Sequence, residues 1–221
     1  MFNVFKVNSS QQFIDDFSKR IKFLIKNNSR VLWIVSGGSN IETEVEIMNT
    51  ISLKESAKLE IILSDERFGD KDHPDSNYLK LVSAGFKKKN SNFENILTNN
   101  NPKEVARNYC NLFKAKIQKT DYIIAELGIG SDGHIAGVLP NSSAINCNEL
   151  ASYYDGPDFK RLTLTFNALI KINEAFIYSV GREKEKIIKL LQTKLNNPKE
   201  FPSQFLYEIK RVSIYNNIRS T

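Results

Sequence analysis

Apolar residues recur along the chain in two alternating patterns. In the first pattern they stand three or four positions apart, as Phe13, Phe17, Ile21 and Leu24 do. This spacing predicts an amphipathic helix, and Ser9 followed by Gln12 fits a capping box at its start. In the second pattern, short continuous apolar runs over residues 31–35, 59–63 and 122–127 are typical of strands covered on both faces of a parallel sheet. The chain therefore alternates helices and strands.

The same patterns continue to the end of the chain. Further helices are predicted over residues 41–48, from 76, over 102–113 and over 187–195, and further strands over 161–165, 175–180 and 212–215, the last at a sheet edge. We expect residues 85–101 to be irregular and on the surface, and residues 141–159 to form a loop. This alternation predicts an α/β fold, a three-layer α/β/α sandwich with a mostly parallel, doubly wound sheet. We expect a single domain over residues 1–221.

Polar or glycine-rich segments follow four of the predicted strands. They are Gly37-Gly38-Ser39, Asp65-Glu66-Arg67, Asp132-Gly133-His134 and Gly181-Arg182-Glu183-Lys184. Ligands of open α/β sheets bind beyond the carboxyl ends of the strands. If the strands are parallel, the four segments converge on one cleft.

Three glycines, at positions 128, 130 and 133, follow the strand over residues 122–127. We expect a tight turn there and then a helix that starts at His134, so that backbone amides and the positive end of the helix dipole face a ligand. His134 can change charge near neutral pH, and Asp132 can orient it. No Gly-x-Ser-x-Gly motif occurs, which favours acid–base chemistry over a serine nucleophile.

Other ligand classes fit these segments less well. The glycines formally match the dinucleotide fingerprint, but a second strand with a terminal acid does not follow, and Asp132 would oppose a pyrophosphate. Gly37-Gly38-Ser39 suits a phosphate monoester but lacks the lysine of a nucleotide P-loop. The acids and histidine between residues 65 and 75 do not have the spacing of a calcium loop, so no metal site is predicted.

Charge and composition narrow the choice of partner. The net charge of +6 favours anionic ligands. The lysines are scattered, and the run over residues 87–89 has no interleaved aromatic residue, so no nucleic-acid surface is predicted. We see no signal peptide and no apolar run that could span a bilayer, and we expect a cytoplasmic protein without membrane contact.

Taken together, the segments resemble the 6-phosphogluconolactonase family, part of a wider group that includes the glucosamine-6-phosphate deaminases. The matching segments, in family order, are residues 36–39, 64–68, 76–78, 128–136 with 139–140, 160–165, 181–184 and 201–203. Deaminases have Tyr where this chain has Arg67, and Phe-Asn-Glu-Pro where it has residues 137–140, which favours the lactonase branch. Asn40 and residues 137–139 depart from the family pattern, and Ile135 and Asn141-Ser142-Ser143 resemble the deaminases.

The resemblance implies hydrolysis of 6-phospho-D-glucono-1,5-lactone to 6-phospho-D-gluconate in the oxidative pentose phosphate pathway. It implies that His134 is the general base and that Asp132 and Asp65 orient His134 or the sugar hydroxyls. Arg67 would offset negative charge in the cleft or on the developing oxyanion. The residues implied to hold the substrate and its phosphate are Gly37, Gly38, Ser39, Arg67, Gly130, Arg161 and Lys184. No metal or organic cofactor is implied, the partner is a small phosphorylated sugar lactone, and we expect a monomer or weak homodimer.

Two other functions stay open at this point. One is a glucosamine-6-phosphate deaminase or isomerase on the same fold. The other is a sugar-phosphate-binding protein without catalysis, although binding alone does not need the pair of Asp132 and His134.

Overall fold

The computed structural model describes residues 2–28, 30–98, 101–195 and 197–217. Its strands are β1 (Asn3–Lys6), β2 (Val31–Val35), β3 (Leu59–Leu63), β4 (Asp65–Arg67), β5 (Tyr122–Leu127), β6 (Ala151–Asp155), β7 (Lys160–Leu164), β8 (Glu174–Tyr178) and β9 (Val212–Asn216). Its α-helices are α1 (Gln11–Asn27), α2 (Ile41–Thr50), α3 (Leu53–Ser56), α4 (Asn77–Ser83), α5 (Pro102–Ile117), α6 (Phe166–Leu169) and α7 (Glu185–Gln192).

The central sheet has the strand order β1-β9-β8-β5-β2-β3, and every pairing within it is parallel. From β2 the chain proceeds outward to β3, and from β5 it proceeds in the opposite direction to β8 and β9. The crevice between the carboxyl ends of β2 and β5 is therefore the topological switch point, where ligands of doubly wound sheets bind.

Successive side chains of the central strands point to opposite faces of the sheet, and so the core has two apolar layers. Val31, Trp33 and Val35 pack with α1, α2 and α4 on one face, whereas Leu32 and Ile34 pack with α5, α6 and α7 on the other. All five residues of β2 are fully buried, because helices cover both faces of a parallel sheet. The predicted three-layer α/β/α sandwich is confirmed.

A second, smaller sheet of β4, β7 and β6 is antiparallel. The prediction of a loop over residues 141–159 is wrong in part, because residues 151–155 form β6. The strand predicted over residues 161–165 is present as β7, but it pairs with β4 and β6 and not with the central sheet. The hairpin of β6 and β7 lies beside the carboxyl end of β3 and brings Arg161 next to Arg67.

Three other predictions need correction. The strand near the C-terminus, β9, is not at the edge, because the four-residue β1 pairs with its outer side. No helix starts at His134, because Gly133 and Ala136 have φ angles of +89° and +50°, which interrupt a helical path. The first helix has Ser10 and not Ser9 as its N-cap, so Gln12 stands at the second helical position and no capping box forms.

The segment over residues 85–98 is irregular, as predicted, but it is not only surface. Phe86, Phe93 and Leu97 are buried, and Phe86 packs on Trp33 with ring centroids 5.8 Å apart. Residues 99–100 lie outside the described residues. The helix predicted over residues 187–195 ends at Gln192.

Across the described ranges, no helix combines the length and the apolar character that a membrane crossing requires.

A buried ion pair joins α5 to β3. Lys116 Nζ lies 3.0 Å from Glu60 Oε2 and donates to the Asn92 carbonyl at 2.9 Å, and both side chains of the pair are 2% exposed. Arg30 Nη1 approaches the other oxygen of Glu60 at 3.2 Å. Removing one partner of a buried pair leaves the other charge poorly compensated.

We expect Lys116→Met to lower the free energy of unfolding by about 3 kcal/mol, because among the described residues the half-exposed Arg30 would be the counter-charge left to Glu60. Urea denaturation measures the change. The control is Lys114→Met on the exposed face of the same helix, for which we expect a change below about 0.5 kcal/mol. A loss for Lys116→Met no larger than that of the control would contradict this account.

Candidate active site

The segment after β2 begins with two glycines in the left-handed region. Gly37 and Gly38 have φ angles of +67° and +58°, and a Cβ on Gly37 would lie only 3.0 Å from the Asn77 side chain. The Gly37 N–H donates to Glu44, so it is already used within the protein. Gly38 and Ser39 are exposed at the start of the turn that leads into α2.

The acidic segment after β3 has two different roles for its carboxyl groups. Glu66 is fully buried and accepts hydrogen bonds from the backbone N–H groups of Asn77 at 2.5 Å and Tyr78 at 2.9 Å, and so it anchors the first turn of α4. Asp65 faces the crevice between the two sheets, where Arg161 Nη1 lies 3.8 Å from its Oδ2. Burial raises the pKa of Asp65, and the charges of Arg161 and Arg67 oppose that shift.

The turn after β5 places a histidine against an aspartate. His134 Nδ1 lies 2.7 Å from Asp132 Oδ1, and the same oxygen accepts the backbone N–H of His134 at 3.1 Å. A Cβ at Gly130 would lie 2.0 Å from His134 Nδ1 and 2.4 Å from Asp132 Oδ1. A side chain at position 130 is therefore incompatible with this pair.

Asp132 stays ionised in this environment. Burial alone would raise its pKa, but the hydrogen bonds and charge interaction with His134 outweigh burial and lower the pKa of Asp132 to about 2. The carboxylate is an acceptor for Nδ1–H, so Nε2 is the ring nitrogen left for a ligand.

Two arginines on neighbouring strands share one aromatic ring. The guanidinium carbons of Arg67 and Arg161 lie 5.0 Å and 5.9 Å from the centroid of Phe159. Arg161 Nη2 also pairs with Asp158 Oδ2 at 2.7 Å, and Arg67 Nη1 donates to the Asp75 carbonyl at 3.3 Å. In both guanidinium groups Nε is buried without a hydrogen-bond partner in the part of the chain that the structure describes.

Lys184 supplies a third cation from the segment after β8. Its Nζ donates to the Ile129 carbonyl at 2.6 Å, which fixes the ammonium beside the turn that carries His134. Arg67 and Arg161 come from β4 and β7 of the antiparallel sheet, and only Lys184 follows a strand of the parallel sheet.

These side chains surround one cavity of about 260 Å³ at the switch point. The predicted site residues that line it are Gly37, Gly38, Ser39, Asp65, Arg67, Gly130, His134, Arg161 and Lys184. Asp132 does not line it but contacts His134 from behind, at the border of a neighbouring groove. The sequence prediction thus brought together residues that meet in space.

Several lining residues were not predicted. Asn77 and Asp158 line the cavity, and Asn77 Nδ2 donates to the Asp65 carbonyl at 3.1 Å. Their positions depend on α4 and on the β6–β7 hairpin folding toward the switch point, which no local pattern announces. The sequence offered one signal for Asn77, since it follows Ser76, which caps α4 through its hydroxyl.

No cluster of three or more histidine, cysteine, aspartate or glutamate side chains with metal-binding geometry occurs among the described residues. The cavity and its border offer hydrogen-bond donors, fixed cations and the Asp132–His134 pair. This set suits an anionic ligand that undergoes proton transfer.

Comparison with known proteins gives a consistent picture. A family model described as glucosamine-6-phosphate isomerases/6-phosphogluconolactonase matches residues 6–214. The probable 6-phosphogluconolactonase of Dictyostelium discoideum is 27% identical over 220 residues, which cover 93% of each chain.

Solved structures share the fold. The crystal structure of 6-phosphogluconolactonase from Thermotoga maritima has a TM-score of 0.82 at 20% identity and covers 98% of this chain and 99% of that chain. A monomeric glucosamine-6-phosphate deaminase has a TM-score of 0.77 at 20% identity, with 97% of each chain covered. Since the family model spans nearly the whole sequence, this chain belongs to the family of glucosamine-6-phosphate isomerases and 6-phosphogluconolactonases.

Proposed function

We propose that this protein is a 6-phosphogluconolactonase, which hydrolyses 6-phospho-D-glucono-1,5-lactone to 6-phospho-D-gluconate. The observation that carries the proposal is the 2.7 Å contact of His134 Nδ1 with Asp132, at a cavity that also holds Arg67, Arg161 and Lys184. Relatives that match most of the chain bear this name. The product belongs to the oxidative pentose phosphate pathway, where we place the enzyme.

In the proposed reaction, His134 Nε2 removes a proton from a water molecule whose oxygen attacks the lactone carbonyl carbon. The tetrahedral intermediate then collapses, the bond between that carbon and the ring oxygen breaks, and the imidazolium returns the proton to the ring oxygen. Asp132 stabilises the imidazolium through Nδ1. The lactone is a reactive ester, so a base and good positioning are sufficient, and no cofactor is required.

The phosphate of the substrate needs donors away from the reacting carbon. We assign Arg161, Lys184 and the exposed Gly38-Ser39 segment to the phosphate, and Arg67 to the substrate's other oxygens or the developing oxyanion. Arg161 is held by Asp65 and Asp158, and Lys184 by the Ile129 carbonyl, so these cations are already oriented before binding. Gly130 provides the space for the base.

A second candidate is glucosamine-6-phosphate deamination. The monomeric deaminase with a TM-score of 0.77 supports it, because the same fold carries that reaction in a single chain. Arg67, where the deaminases have Tyr, favours the lactonase. Lactone opening and ammonia release from glucosamine 6-phosphate, assayed on the same preparation, separate the two: fast lactone opening without ammonia supports our proposal, and ammonia release alone contradicts it.

His134→Ala should lower kcat by roughly a hundredfold or more, because the water would lose its base. Lactone generated in place and followed at slightly acid pH, where spontaneous opening is slow, measures the rate. Ser131→Ala, an exposed neighbour in the same turn, should leave the rate unchanged. Turnover that ignores the loss of His134 would remove this residue from the mechanism.

Asp132→Asn should also lower kcat by roughly a hundredfold, because an amide cannot stabilise the imidazolium as a carboxylate does. With a pKa of about 2, Asp132 remains ionised in the wild type, and its interaction with His134 is lost only as pH falls toward that value. Protonation of Asp132 should therefore not lower the wild-type rate between about pH 8 and pH 5. A variant with undiminished kcat across this range would contradict the assignment.

Lys184→Ala should raise KM by about tenfold with little change in kcat, because a charge-assisted bond to the phosphate acts equally in the ground and transition states. Steady-state kinetics separate the two constants. Lys186→Ala, an exposed lysine two residues away, is the matched control. An unchanged KM would place the phosphate elsewhere.

A further inference from the structure

Two glutamates lie fully buried beneath the glycine segment of the site, and the proposed mechanism uses neither. Glu44 is on the first turn of α2, and Glu126 is the penultimate residue of β5. Both side chains are 0% exposed, which is rare for an acid unless its partners require it.

The partners of Glu44 are all hydrogen-bond donors. Glu44 Oε1 accepts the backbone N–H of Ser36 at 2.5 Å and that of Gly37 at 3.0 Å, and the Ser36 hydroxyl lies 3.2 Å from the same oxygen. Glu44 Oε2 lies 3.1 Å from the Gly37 nitrogen. A carboxylate satisfies both N–H groups, which can only donate, whereas a protonated carboxyl group would find only the Ser36 hydroxyl among these partners to accept its hydrogen.

The partners of Glu126 require the opposite state. The Thr43 hydroxyl lies 2.7 Å from the Asn40 carbonyl and 2.6 Å from Glu126 Oε1. A hydroxyl has one hydrogen and a carbonyl can only accept, so in an arrangement that makes both contacts hydrogen bonds the hydrogen of Thr43 goes to Asn40. The short contact with Glu126 is then a hydrogen bond only if Glu126 donates it.

The electrostatic surroundings of the two glutamates favour the same protonation states. Burial raises the pKa of Glu126 well above its usual value, and the charge of Glu44 raises it further. Burial and the charge of Asp65 raise the pKa of Glu44 only to about 7, because the Gly37 and Ser36 N–H bonds oppose the shift, and Glu44 is therefore the stronger acid of the two. Within the part of the chain that the structure describes, no N–H group donates to Glu126 and lowers its pKa, so the proton resides there.

We propose that Glu44 and Glu126 are positioning residues that share one proton, with Glu44 ionised and Glu126 protonated, and that together they hold residues 36–40 in the shape that receives the phosphate. Glu44 fixes the Ser36 and Gly37 amides, and Glu126 fixes the Asn40 end of the segment through Thr43. The assignment of the phosphate to this segment rests on the proposed function, whereas the assignment of protonation states to Glu44 and Glu126 does not.

The proposal predicts that substitution by glutamine has different effects at Glu44 and at Glu126. Glu126→Gln should behave like the wild type, because the amide NH2 can donate to Thr43 as the acid does. Glu44→Gln should weaken binding of 6-phosphogluconate by roughly tenfold and raise KM with little change in kcat, because an amide N–H would face the Gly37 N–H. Glu42→Gln, on the exposed side of the same helix, is the matched control.

Calorimetric titration with 6-phosphogluconate and steady-state kinetics measure these effects on the full chain. Damage by Glu126→Gln with a silent Glu44→Gln would reverse the assignment and overturn the proposal. Equal effects of both variants, or none from either, would also overturn it. If wild type itself binds no 6-phosphogluconate, the proposed function fails. Infrared spectroscopy alone then tests the protonation states of Glu44 and Glu126.

Infrared absorption provides that independent test and does not require Glu44→Gln to fold. At mildly alkaline pH, the difference spectrum between wild type and Glu126→Gln should contain the carbonyl stretch of one protonated carboxyl group. The difference spectrum between wild type and Glu42→Gln should lack it. A Glu126 difference spectrum that shows only carboxylate bands would overturn the proposal.

Discussion

The contact between Asp132 and His134 depends on the absence of a side chain at position 130. A Cβ there would overlap both members of the pair, at 2.0 Å and 2.4 Å. Two backbone bonds hold the turn around this glycine: the Gly130 N–H donates to the His134 carbonyl at 2.9 Å, and the Gly133 N–H donates to the Gly130 carbonyl at 3.0 Å. The imidazole is therefore placed by the turn itself and not by a helix dipole.

The parallel sheet brings the remaining groups to this pair. Because β2, β3, β5 and β8 all point the same way, their carboxyl ends deliver Ser39, Asp65, His134 and Lys184 to one rim. The second sheet adds Arg161 from β7, which the central sheet alone could not supply. Each cation contacts a protein oxygen, so the positive groups are fixed before an anion arrives, and less ordering is required on binding.

Much of the fold could be predicted because the central strands bury both faces and give continuous apolar runs. The short strand β1 is mostly exposed and β6 is only partly buried, so neither produces such a pattern, and the edge strand and the hairpin were missed. At the site, the charged residues at the strand ends were predictable from parallel topology. Asp158 and Phe159 were not, because their position depends on the antiparallel pairing of β6 with β7. Glu126 offered a signal that was not used, since it is the one charged residue in an otherwise apolar strand.

The buried acids around the cleft follow from a backbone constraint. Where a strand ends and a glycine-rich turn or a helix begins, N–H groups lose their sheet partners and have no helical carbonyl to replace them. Glu66 takes up the first N–H groups of α4, and Glu44 takes up those of Ser36 and Gly37. Each carboxylate carries a desolvation cost, which several charge-assisted bonds offset. No N–H group of the described residues donates to Glu126, and a proton makes its burial compatible with the neighbouring charge of Glu44.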